Sequence, residues 1–187
     1  MKLFLTSSPG GSACADGTWE AAPFDSANGF LREFRKACRG ETDCLILSSD
    51  PDNAGMGDEM QDFFRKAFER SGMQVTRVDV CDRRDLQAAK KLCCYGILIL
   101  AGGHVPTQNA FFREIGLREK IRRYAGVVMV FSDFVIFQVV KWMFLIFHDF
   151  QFSCHIPRPT VDISKFSTFF SFPRHISRPK VCISHFP

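Results

Sequence analysis

Glycine and alanine stop at Val130. All 13 glycines and every alanine precede that point, and the 57 residues that follow contain neither. A packed domain needs glycine where the chain takes positive φ and where helices end. The folded unit is therefore expected within residues 1–130, with residues 131–187 as a separate tail. That tail holds 12 of the 21 phenylalanines and 5 of the 9 prolines, which marks it as compositionally foreign to what precedes it.

Within residues 1–130, apolar runs alternate with helical periodicity. Leu3-Phe4-Leu5 and Asp43-Cys44-Leu45-Ile46-Leu47-Ser48-Ser49 are short runs that end in polar turns. Gln74-Val75-Thr76-Arg77-Val78-Asp79-Val80 alternates at period two. Gly96-Ile97-Leu98-Ile99-Leu100-Ala101 and Val127-Val128-Met129-Val130 are continuously apolar, as central parallel strands covered on both faces must be. Between them, Phe30, Phe34, Ala37 and Cys38, and then Met60, Phe63, Phe64, Ala67 and Phe68, fall on single helical faces. Gly72 sits where a C-cap glycine belongs, and Asp82 or Asp85 could cap a further helix through Leu92. This alternation predicts an α/β fold built on a doubly wound, mostly parallel sheet in three layers. Functional groups of such sheets gather in the loops at the carboxyl ends of the strands.

Composition narrows the function classes. The net charge of +4 is too small and too dispersed for a nucleic-acid binder. The eight cysteines form no CxxC pair and show no zinc-ligand spacing, so neither a metal nor another cofactor is expected. Met1-Lys2-Leu3-Phe4-Leu5 is too short for the apolar core of a signal peptide, and a cytoplasmic protein with reduced thiols is expected. Cys93-Cys94 read as buried small hydrophobes near a strand start. Residues 127–147 have the length of a membrane span. Asp133, Gln138 and Lys141 interrupt them, and one charge at a helix centre costs about 2.5 to 3.5 kcal/mol; a span is not expected, although the tail could associate with a membrane.

Two loops stand out chemically. Leu100-Ala101-Gly102-Gly103-His104-Val105-Pro106-Thr107-Gln108-Asn109 follows a buried strand and opens a helix. Its backbone N–H groups could face an anion or a developing oxyanion, or the two glycines could simply make a turn. After Val127-Val128-Met129 the chain continues Val130-Phe131-Ser132-Asp133-Phe134. A nucleophile elbow there would read G-x-S-x-G, with small neighbours around a strained serine, and only the serine fits.

Residues 1–129 resemble the peptidase E (α-aspartyl dipeptidase) and cyanophycinase family of serine peptidases, with a class I glutamine amidotransferase-like, flavodoxin-like fold. The resemblance rests on Lys2-Leu3-Phe4-Leu5-Thr6-Ser7-Ser8, on Ser48-Ser49-Asp50-Pro51-Asp52, on Leu100 through Phe112, and on Tyr124-Ala125-Gly126-Val127-Val128-Met129. It implies a serine peptidase acting on small, Asp-containing peptides. Gly102 and Gly103, with His104 in the same loop, then belong to the oxyanion and substrate loop, and Ser132 falls in the register of the nucleophile. The sequence departs from the family where Val130, Asp133 and Phe134 replace small residues of the elbow. Crowding and a negative charge beside the oxyanion predict impaired catalysis, since one lost oxyanion donor alone costs about 3 kcal/mol. The family's general base and acid have no counterpart motif, although the tail offers His148, His155, His175 and His185. Residues 155–166 and 175–186 are near-duplicates, as expected of repetitive DNA read in a shifted frame. The expected protein is a truncated peptidase-like domain with an irregular tail. The alternative is a non-catalytic binding protein.

Overall fold

The computed structural model describes residues 1–6, 9–15, 18–26, 29–38, 40, 42–131 and 183–184, with backbone alone at 13–15, 18–19 and 183–184. The anticipated sheet is present. Its strands are β1 (Lys2–Thr6), β4 (Thr42–Leu47), β5 (Val75–Cys81), β6 (Ile97–Leu100) and β7 (Val127–Phe131), and the two-residue β8 (Ile183–Ser184) pairs with Leu5 and Thr6 of β1. The order is β5-β4-β6-β7-β1-β8, with every neighbouring pair parallel. This is an α/β architecture consistent with a flavodoxin-like fold.

Alternate residues of each strand serve opposite cores. Leu45, Leu47, Leu98, Leu100, Val128 and Val130 face one layer, made by α3 (Gln87–Lys90), α4 (Val105–Glu114) and α5 (Leu117–Ile121). Cys44, Ile46, Ile97, Ile99, Val127 and Met129 face the other, made by α1 (Phe30–Ala37) and α2 (Ala54–Arg70). The continuous apolar runs follow directly from this double burial. The α2 side is aromatic: Phe34 is fully buried, with Phe4 and Phe24 edge-on to it at 5.2 and 6.0 Å between ring centroids.

Phe24 comes from an element that the hydrophobic pattern did not announce. β2 (Gly10–Ala15) and β3 (Thr18–Phe24) form an antiparallel hairpin outside the main sheet. Its register shifts between Gly10 and Ser12, and Gly10 and Gly11 adopt φ of 71° and 86°, as a bulge at positive φ requires. The hairpin docks on the end of α2, where the Phe24 amide donates to the Ser71 hydroxyl at 2.8 Å.

Other details refine the sequence reading. Gly72 takes φ 62° just beyond α2. Asp85 accepts from the amides of Gln87 and Ala88 at 3.0 and 3.2 Å, but the helix it starts has only four residues and passes into the 3-10 turn Leu92–Cys94. Cys93 and Cys94 are exposed rather than buried: Leu92 and Tyr95, at 1 % and 6 % exposure, take the inward places on this turn. In α5, Leu117 and Ile121 are buried while Arg118 is exposed, as is Arg123 just beyond the helix. Among the described residues no helix is long and apolar enough to cross a membrane. The tail beyond Phe131, including the duplicated segments apart from Ile183–Ser184 and most of residues 127–147, lies outside the described residues.

Two outcomes are expected. Gly126 and Gly96 meet where β6 and β7 begin, and a Cβ on Gly126 would come 2.5 Å from the Gly96 carbonyl oxygen. Gly126→Ala is expected to cost about 1–3 kcal/mol of stability by overpacking, whereas Gly55→Ala, near the start of α2, where a Cβ would meet the Asn53 Oδ1 at an ordinary 3.7 Å, is expected to gain up to about 1 kcal/mol; urea melts of the two variants check both signs. Burial pushes the Cys81 thiol up to about 11 and raises that of Cys44 well above its ordinary value. Because the thiolate is the reactive form, iodoacetamide at mildly alkaline pH is expected to label Cys93 and Cys94 well before Cys44 and Cys81, as read by peptide mass mapping.

Candidate functional site

The chain enters the sheet at β1, crosses to β4, steps outward to β5, and returns to the other side of β4 as β6. The helices that follow β4 and β6 therefore leave on opposite faces, α2 into the aromatic core and α4 into the other. This is the topological switch point, and in open α/β sheets the ligand-binding crevice lies at such a point, outside the carboxyl ends of the strands. Ser48-Ser49-Asp50 leave β4 here, and Ala101-Gly102-Gly103-His104 leave β6 beside them. Two of the four stretches that carry the family resemblance thus meet across adjacent strands.

Their contact is close. Gly103 lies over Ser49, and a Cβ built on Gly103 would come 2.5 Å from both the Cβ and the Oγ of Ser49. Ser49 is 1 % exposed, and its hydroxyl has no hydrogen-bond partner among the described residues. The neighbouring Ser48, in contrast, is paired: its amide donates to the Cys81 carbonyl at 3.1 Å and its hydroxyl accepts from the Asp50 amide at 3.2 Å. An unsatisfied buried polar group costs about 1–3 kcal/mol, so Ser49 is a place where the fold carries a deficit.

On the other side of the crevice, α4 begins at Val105 with Pro106 in its first turn, a position that needs no N–H. His104 is exposed, and its Nδ1 lies 2.8 Å from the Thr107 hydroxyl. Gln108 is buried and donates through Nε2 to the Ala101 carbonyl, which ties the glycine loop down behind the helix start. The first-turn amides and the helix dipole favour negative charge at this end.

Arginines brace the surrounding loops. The Arg84 guanidinium holds the buried Asp82 at 2.7 Å and the exposed Asp58 at 2.8 Å, joining the end of β5 to the start of α2. Arg83 bridges Asp52, at 3.0 Å, and Glu114, and lies over the Phe111 ring. Asn53 accepts from the Met56 amide at 3.1 Å and caps α2, so residues 50–53 form a braced turn. Among the described residues no cluster of three or more His, Cys, Asp or Glu side chains is placed to hold a metal. A shallow groove along α2 and the start of β5, lined by Arg65, Glu69 and Thr76, lies away from these loops.

Of the sequence candidates, Gly102, Gly103 and His104 are brought to the crevice, whereas Ser132 and the four tail histidines lie outside the described residues. β7 runs beside β6 with Val130 opposite Leu100, so Phe131, the residue before Ser132, ends its strand at the same edge of the sheet as the glycines. Ser49 is not among the sequence candidates; its signals in the sequence are its place in a polar stretch after an apolar run and in one of the stretches that carry the family resemblance. No protein-family model matches the chain and no curated protein does.

The contact makes a paired prediction. Gly103→Ala is expected to lose about 1–3 kcal/mol through the clash with Ser49, and Ser49→Gly in the same chain is expected to restore most of it. Ser49→Ala alone is expected to raise stability by about 1 kcal/mol, since it removes an unpaired hydroxyl. A fall in the melting temperature of Ser49→Ala would show that the hydroxyl has a partner.

Proposed function

We propose that the chain is a peptidase E-like protein whose switch-point crevice holds a small, Asp-containing peptide, and that it binds this peptide without efficiently hydrolysing it. The observation that carries this reading is the buried hydroxyl of Ser49 beneath the glycine loop, without a hydrogen-bond partner among the described residues. A peptide carbonyl or carboxylate oxygen that enters as Gly103 lifts gains the Ser49 O–H as donor. It also gains the amides at the start of α4, whose dipole favours the negative charge. The resemblance of residues 1–129 to the peptidase E and cyanophycinase family supplies the peptide and its Asp residue.

Hydrolysis requires more than this donor set. The nucleophile in the family register, Ser132, is flanked by Val130, Asp133 and Phe134 in place of small residues. A β-branched or bulky neighbour opposes the strained turn that exposes such a serine, and Asp133 opposes a developing oxyanion in charge. Binding without turnover is the expected balance.

The test uses an Asp-p-nitroanilide substrate with the full-length protein. The expected result is no release of p-nitroaniline above the buffer rate, together with saturation-transfer NMR signals from an Asp-Leu dipeptide that weaken in Ser49→Ala. Release that disappears in Ser132→Ala would identify a working peptidase and overturn the loss of catalysis. Neither release nor binding would remove the reading altogether.

A further inference from the structure

Cys93 and Cys94 occupy the 3-10 turn Leu92–Cys94 at the amino end of β6, the opposite end of the sheet from the crevice. The turn is anchored on both sides. Leu92 and Tyr95 are buried in the core, the Cys94 amide donates to the Lys91 carbonyl at 2.8 Å, and the Tyr95 amide donates to that of Leu92 at 3.2 Å. Anchoring the flanks leaves both central thiols exposed, while Cys44 and Cys81 are buried and Cys38 is partly so. The Cys93 Sγ lies 4.0 Å from the Arg123 carbonyl oxygen, and Lys90, Lys91 and Arg123 are exposed around the pair.

Two neighbouring thiols are poorly placed for a disulfide and well placed for a chelate. Their peptide bond is trans, which sets the Cα atoms about 3.8 Å apart; an ordinary disulfide needs about 4.4–6.8 Å. A disulfide between them is strained and readily reduced, so the pair rests as a dithiol. An atom larger than carbon that bonds to both sulfurs widens the ring and removes that constraint. Capture by the first thiol also makes the second attachment intramolecular, at high effective concentration. Thiolates select soft acceptors.

We propose that Cys93 and Cys94 form a dithiolate site for a trivalent arsenical. An R–As=O group reacts with both thiols; two S–As bonds form, the As=O bond is lost, and the oxygen leaves as water with the two thiol protons. Arsenic stays trivalent and no oxidant takes part. Successive side chains of a 3-10 turn diverge by about a third of a turn, so closing the ring rotates both cysteines about χ1 and loosens the Cys94–Lys91 hydrogen bond. Leu92 and Tyr95 keep the adjoining core in place.

Phenylarsine oxide tests the site on the folded, full-length protein. The expected product is one phenylarsenic group per chain by intact mass. It resists excess 2-mercaptoethanol, is removed by 2,3-dimercaptopropanol, and maps to the tryptic peptide 92–113, whose only cysteines are Cys93 and Cys94. Cys93→Ser and Cys94→Ser are each expected to lose the dithiol-reversible adduct, with circular dichroism spectra unchanged because both side chains are exposed. An adduct that maps elsewhere, survives in either variant, or forms only in denaturant overturns the proposal. So does the absence of any adduct, and the peptide mapping decides the matter in the unaltered chain even if a variant fails to fold.

Discussion

Everything in this fold depends on covering β6 from both sides. Its four residues are Ile97, Leu98, Ile99 and Leu100, none more than 4 % exposed, with β4 on one edge and β7 on the other. A strand so apolar cannot face water on either side, and each buried side chain of this size contributes about 1.5–3 kcal/mol. The chain must therefore send helices to both faces, and it does so by reversing direction around β4. The crevice is a by-product of that reversal, since the loops that leave β4 and β6 have to part company. Packing and site geometry thus have one cause.

The same cause separates what was legible in the sequence from what was not. Four of the five main strands were readable because burial writes itself as unbroken apolar runs, and β5, at the sheet edge, was readable from its period-two alternation. The faces of α1 and α2 were readable from Phe30 and Phe34 and from Phe64, Ala67 and Phe68. The hairpin of β2 and β3 was hidden. Gly10, Gly11, Ala13 and Ala15 carry little hydrophobic contrast, and what holds the hairpin is Phe24 packed among rings from α1 and α2, a contact far away in sequence. Cys93 and Cys94 misled for a related reason. They adjoin an apolar strand, yet a turn with three residues per revolution has one inward place in three, and Leu92 and Tyr95 fill those places.

The site divides along similar lines. A pair of glycines between a buried strand and a helix is a local signal, and Gly102 and Gly103 could be picked out. That Gly103 rests on Ser49 is a statement about two adjacent strands whose neighbour relation no local pattern records. The missing partner of the Ser49 hydroxyl is more remote still, because absence of a hydrogen bond is a property of the assembled core. Resemblance to peptidase E supplied a chemical context for the glycines but gave Ser49 no role.

Arg83 has a mechanical meaning. One guanidinium ties the turn after β4, through Asp52, to α4, through Glu114, and its charge lies over the Phe111 ring. All three charged groups are exposed, and dissolved ions weaken attraction between such groups over a Debye length of about 8 Å at physiological ionic strength. The tie between the β4 turn and the carboxyl end of α4 is thereby sensitive to the surrounding electrolyte: it is strongest in dilute salt and weakens as salt is added.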